Sequence, residues 1–221
     1  MVAILVVATF LVFILIDVVY KQHPSLSGSM QAARSSGWRP TIRPGYFYTP
    51  NHLWLSLDPS GMLTLGADDL FHRIFGVPDA IQLKKPGDRV HRGDRLAQFL
   101  KGERTLAVSS PVSGVIQSTN DQMQQHPDQF ARGAYDAAWL YLMRPTAFAK
   151  EMLSFKVAEE ARPWMVHEVN RLRAFLRTHQ GETLSAPSNH NGMLAENLLT
   201  KMDAPSVTEF EQKFLLNLES R

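Results

Sequence analysis

Two residues of this chain of 221, Lys101 and Glu103, bear most directly on chemistry. They lie in Leu100-Lys101-Gly102-Glu103-Arg104, between two runs that read as strands. Gly102-Glu103 is therefore expected to form a two-residue hairpin turn, with Lys101 on the strand shoulder and Glu103 at the apex. An amine on such an apex can be joined through an amide to a carboxylic acid prosthetic group. A carboxylate cannot.

The remaining reactive side chains do not assemble into a catalytic pattern. His23, His52, His72, His91, His126, His167, His179 and His190 are isolated, with no helical i, i+4 pair beside a carboxylate, so neither zinc nor haem is expected. Asp68-Asp69 at a helix start reads as capping and macrodipole chemistry. The chain has no cysteine, which excludes disulfides, thiol catalysis and cysteine-ligated clusters. There is no phosphate-binding glycine loop and no Gly-x-Ser-x-Gly elbow. A net charge of +2, without basic runs interleaved with aromatics, gives no case for nucleic acid. The chain reads as a non-enzyme without cofactor or metal.

The elements that must position the hairpin are short strands. Leu53, Leu55 and Leu57 alternate with Trp54 and Ser56, Asp58-Pro59-Ser60-Gly61 turns, and Met62 to Leu65 returns. Ala67 to Phe75 is expected to be a helix ended by Gly76 and Pro78. Further strands are expected over 77–83, 94–100, 105–108, 115–117 and 139–143, with Trp54, Trp139, Phe71, Phe75 and Phe99 in the core. Residues 45–147 thus read as a compact all-β domain.

Two other segments flank it. From Met1 to Ile16 every residue but Thr9 is apolar, and Val18-Val19-Tyr20 resumes the run after Asp17. Residues 1–20 are long enough to cross the bilayer as one helix. No basic residue precedes the run and no small-x-small cleavage pattern follows it, which favours an anchor over a signal peptide. Lys21, Arg34, Arg39 and Arg43 follow, so the N-terminus is expected outside and the rest in the cytoplasm of a bacterial inner membrane. Residues 21–44, rich in Ser, Gly, Pro and Arg, read as an extended tether. Residues 148–221 read as a helical tail: Pro163 in the first turn of a helix striped by Met165, Val169, Leu172 and Leu176, then a Ser206/Glu209 capping box ahead of Phe210, Phe214, Leu215 and Leu218. One stripe is free to pack on another protein.

The β region resembles a known family. Tyr48-Thr49-Pro50-Asn51-His52-Leu53-Trp54, Gly66-Ala67-Asp68-Asp69, Gly87-Asp88-Arg89-Val90-His91-Arg92-Gly93-Asp94, Ser110-Pro111-Val112-Ser113-Gly114 and Ala134-Tyr135-Asp136-Ala137-Ala138-Trp139-Leu140 stand in the order of the glycine cleavage system H protein. That family is the lipoyl carrier that shuttles an aminomethyl group between enzymes. The resemblance spans about Tyr48 to Pro145 and implies a lipoyl/biotinyl-carrier-like β sandwich, a barrel-sandwich hybrid. It also places the lipoyl-lysine position: counting ten residues on from Gly93 and seven back from Ser110 both reach Glu103. Leu53 stands where the family has an acidic residue.

The expectation is a membrane-anchored, non-catalytic accessory or scaffolding subunit of a larger membrane complex, with respiratory or photosynthetic electron transfer the first class to consider. Asp17, Glu103, Arg104 and Trp164 are its candidate interface residues. The alternatives are a lipoyl-type carrier modified on Lys101 and a transient assembly factor.

Overall fold

The computed structural model describes residues 38–179 and 197–219. The expected anchor, Asp17 and most of the tether lie outside the described residues. Among the described residues no helix is long and apolar enough to cross a membrane.

Strands β1 (Tyr46–Tyr48), β2 (Leu53–Leu57), β3 (Leu63–Ala67), β5 (Arg89–Val90), β8 (Gly114–Thr119), β9 (Trp139–Pro145) and β10 (Lys156–Val157) form one antiparallel sheet, in the order β10-β1-β2-β3-β9-β8-β5. A second sheet takes β4 (Ala80–Leu83), β6 (Arg95–Lys101) and β7 (Arg104–Ser109), in the order β4-β6-β7. Turn chemistry sets the pairing. Asp58 Oδ1 accepts from Ser60 N (2.8 Å) and Met62 N (3.1 Å), folding β2 back onto β3 at the expected turn.

The helix α1 (Asp69–Phe75) begins later than the sequence suggests, because Ala67 is still paired in β3 and Asp68 is the cap, accepting from Phe71 N at 2.9 Å. It buries Leu70, Phe71, Ile74 and Phe75 against Phe99 and Phe130. Trp54 is buried as expected, its Nε1 donating to Ala134 O at 2.7 Å, whereas Trp139 is only half-buried.

The tail is a working part of the same core. β10 pairs with β1 through Phe47↔Val157, so the expected boundary at residue 147 cuts through the large sheet. The helix α2 (Ala158–Thr178) starts five residues before Pro163, which is an interior residue and not in the first turn. Its stripe of Ala161, Met165, Val169, Leu172 and Leu176 is buried within the protein's own core instead of waiting for a partner. At α3 (Ala204–Phe210) the cap is Asp203, accepting from Ser206 N at 3.1 Å; Ser206 itself lies inside the helix and is buried. A π-helical turn follows over Glu211–Leu215. Residues 38–44, assigned by composition to the tether, lie against this body: Tyr135 Oη donates to Thr41 O (2.6 Å), and Arg43 N donates to Tyr48 Oη (2.8 Å).

In the large sheet Trp54 lies over its cross-strand partner Gly66, where an added Cβ would stand 2.5 Å from the indole. Gly66→Ala should destabilise the fold by about 1–3 kcal/mol by forcing that ring to move. A urea midpoint equal to that of the parent would contradict this.

Candidate functional site: the β6–β7 hairpin and its clasp

The hairpin forms where expected. Lys101 pairs with Arg104, and Gly102 and Glu103 stand exposed at the apex, with Gly102 at φ +57°. Gly102 N donates to Asp79 Oδ2 at 2.7 Å.

Both basic residues of this hairpin end are engaged by the chain itself. Lys101 Nζ donates to Phe75 O at 3.0 Å and to Asn197 Oδ1 at 2.9 Å. Partial burial lowers its pKa, with the Asp79 charge opposing. Asn197, in the left-handed region at φ +57°, rests on Gly76, where a Cβ would lie 1.5 Å from Asn197 Oδ1. Only glycine admits this contact, and Gly76 also has φ +66°. Arg104, a candidate interface residue, donates through Nη2 to the Met202 carbonyl.

The same clasp covers the open edge of the smaller sheet. β7 is an edge strand, and its Ala107 amide donates to the Glu211 carboxylate. Ser109 Oγ donates to the carbonyls of Leu215 (3.3 Å) and Leu216 (3.4 Å). Covering an edge in this way removes a template for foreign strands. Arg92 fixes the far end: Nη2 reaches Ser154 Oγ and Leu218 O, both at 3.0 Å, and Nη1 reaches Glu151 O at 2.9 Å. No sequence signal marked these contacts, since each joins residues about sixty or more positions apart.

A buried ionic cluster locks the long helix to the large sheet, at the turn before β2 and the cap that follows β3. His52, fully buried at φ +62°, places Nδ1 3.0 Å from Asp68 Oδ2 and Nε2 3.7 Å from Glu168 Oε2. The second distance is an ion pair, longer than a hydrogen bond. Glu168 also receives Arg171 Nη2 at 2.6 Å. Trp164 and Phe214 stack on the imidazole with centroids at 5.8 and 6.3 Å. Burial alone would push the His52 pKa down, but the charge and hydrogen bond of Asp68, then Glu168, outweigh it and raise the value to about 9. Glu168 is held below the usual carboxylate range: burial opposes this, and the His52 and Arg171 charges prevail. Trp164, a candidate interface residue, thus spends one face inside the molecule.

His72 is the opposite case. Its Nδ1 lies 2.9 Å from the Phe130 carbonyl, which can only accept, so Nδ1 carries the proton. Burial depresses its pKa to about 4 and keeps the ring neutral. It lines a cleft of about 310 Å3 with Trp38, Asp69, Phe130 and Asn197, beside the Lys101 clasp. Among the described residues no group of three potential metal ligands converges.

Comparison with known proteins places this architecture. The family model described as Glycine cleavage H-protein matches residues 46–168. The glycine cleavage system H protein of Ralstonia nicotianae is 30% identical over 98 residues, covering 44% of this chain and 76% of that protein. The probable glycine cleavage system H protein of Pyrococcus horikoshii is 24% identical over 119 residues, 54% of this chain and 88% of its own length. The crystal structure of a glycine cleavage system H protein from Mycobacterium marinum aligns with a TM-score of 0.44 at 25% identity, over 48% of this chain and 87% of that one.

The ionic cluster sets a pH dependence. Because the folded pKa of His52 lies above its unfolded value, the imidazolium's contribution is fully present below about pH 6.5 and is lost as pH rises through about 9, whereas that of Glu168, held low, is lost only as pH falls into the acid range. The total is on the order of 3 kcal/mol. Chemical denaturation of the parent should show this decline, and His52→Asn, which tolerates positive φ, should flatten it. An equal slope in both proteins would contradict the assignment.

Proposed function

The chain belongs to the glycine cleavage H-protein family, and from that premise we propose that it is a member reused as a non-catalytic part of a membrane assembly. The family is one of carriers and not of catalysts, and a carrier needs a free amine at the hairpin apex. In this reading Glu103 occupies the lipoyl-lysine position and cannot form the amide. Lys101, the neighbouring amine, donates to Phe75 O and Asn197 Oδ1 and is not presented to a ligase. That engaged lysine beside an apical carboxylate is the observation that carries the proposal. The domain then acts as a rigid recognition body, attached to the bilayer through residues 1–20, as an accessory or scaffolding subunit. A respiratory or photosynthetic electron-transfer complex is the first class of host.

Family membership itself favours a second reading, a lipoyl-type carrier modified on Lys101. A transient assembly factor is a third. Purification of the native protein from membranes in mild detergent separates all three. The proposal expects stoichiometric partner subunits and an intact mass equal to that of the unmodified chain. A lipoyl adduct on the Lys101 peptide would establish the carrier and overturn the proposal. Sub-stoichiometric recovery would point to the assembly factor.

A further inference from the structure

One outward face of the large sheet carries cations that the fold does not use. Arg89 on β5 is the cross-strand partner of Val115 on β8, and Val115 is the partner of Arg144 on β9. Directly paired residues of antiparallel strands project from the same face. The two arginines therefore flank a half-buried valine, about 10 Å apart across two strand spacings. Their neighbours Val90 and Met143 point the other way, into the core. Lys85 adjoins this row, because the turn after it is fastened to β8: Gly87 N donates to Ile116 O and Ile116 N to Asp88 O.

All three cations are exposed. The one acidic residue in the turn, Asp88, accepts the Lys85 amide at 2.9 Å, so its carboxylate holds the turn in shape. Arg89 and Arg144 make no ion pair among the described residues, unlike Arg171, which is held by Glu168. An exposed row of cations with a single, already engaged carboxylate in its turn is complementary to an extended anionic surface.

We propose that the Lys85–Arg89–Arg144 face docks on the anionic headgroups of a bilayer. The choice of a lipid surface over an acidic protein rests on the membrane reading given above. If residues 1–20 are anchored, the chain from residue 20 to Trp38 can span at most about 60 Å, which holds the domain within reach of a bilayer at high effective concentration. An anchor and a polybasic face are the two signals that together make membrane attachment stable. Each arginine near such a surface should strengthen contact about fivefold.

The absence of cysteine allows a single label at Gln117→Cys, an exposed site next to Val115. The full-length labelled protein is reconstituted into phosphatidylcholine vesicles with or without phosphatidylglycerol, and quenching by a headgroup-attached quencher is read together with co-flotation. Quenching should appear only with phosphatidylglycerol, weaken with salt, and fall at least tenfold in Arg89→Gln/Arg144→Gln, whose unfolding midpoint should match the parent. Equal quenching in both lipids, no quenching in either, or persistence in the double variant overturns the proposal. Flotation with neutral vesicles reports the anchor separately. Flotation without quenching leaves the anchor and removes the docking face. Arginine-dependent binding to anionic vesicles alone does the reverse.

Discussion

A charged imidazole buried out of reach of solvent must be neutralised by the protein, and His52 is neutralised from two directions. Asp68 comes from the cap of the helix that follows β3, and Glu168 from a helix a hundred residues later. Burying such a group is costly, and removing one partner leaves an uncompensated charge worth about 3–5 kcal/mol. The cluster therefore does not tolerate a detached tail. Phe214, stacked on the imidazole, brings the C-terminal segment to the same point. From there Glu211 meets the edge of β7, and Leu215 and Leu216 meet Ser109.

The consequence reaches the hairpin. Hairpin apices that exchange a group between partners depend on reach, whereas this one has its shoulder lysine bound to two carbonyl oxygens and its arginine turned onto Met202. The apex is exposed but its base is clasped. A rigid surface of that kind suits recognition. Binding then pays little ordering entropy, since the residues are fixed beforehand.

What the sequence made legible was local or strongly patterned. The Asp58-Pro59-Ser60-Gly61 turn, the Gly102-Glu103 apex and the capping role of Asp68 follow from side chains acting within four residues. The separated motifs from Tyr48 to Leu140 carried the family. Illegible were the contacts that bridge distant parts of the chain. His52 looked isolated because its partners are sixteen and more than a hundred positions away. Arg104 reads as an interface candidate because its partner in the fold, Met202, is 98 positions away in sequence. Ser206 looked like a cap since Ser and Glu stood at the right spacing, but Asp203 was three residues upstream and caps better placed. The break between β domain and tail was drawn where strands give way to helix, yet the two-residue β10 carries the large sheet across it.

The central claim is that the Lys101 amine on the hairpin shoulder is engaged by the chain's own carbonyl oxygens. Competitive labelling of the native full-length protein with an amine-reactive reagent, read peptide by peptide, tests it most directly. Lys101 should react many times more slowly than the exposed Lys85 and should reach the same rate once the protein is unfolded. Equal rates in the native state would mean that the lysine is free, and the account of a retired carrier would lose its structural basis.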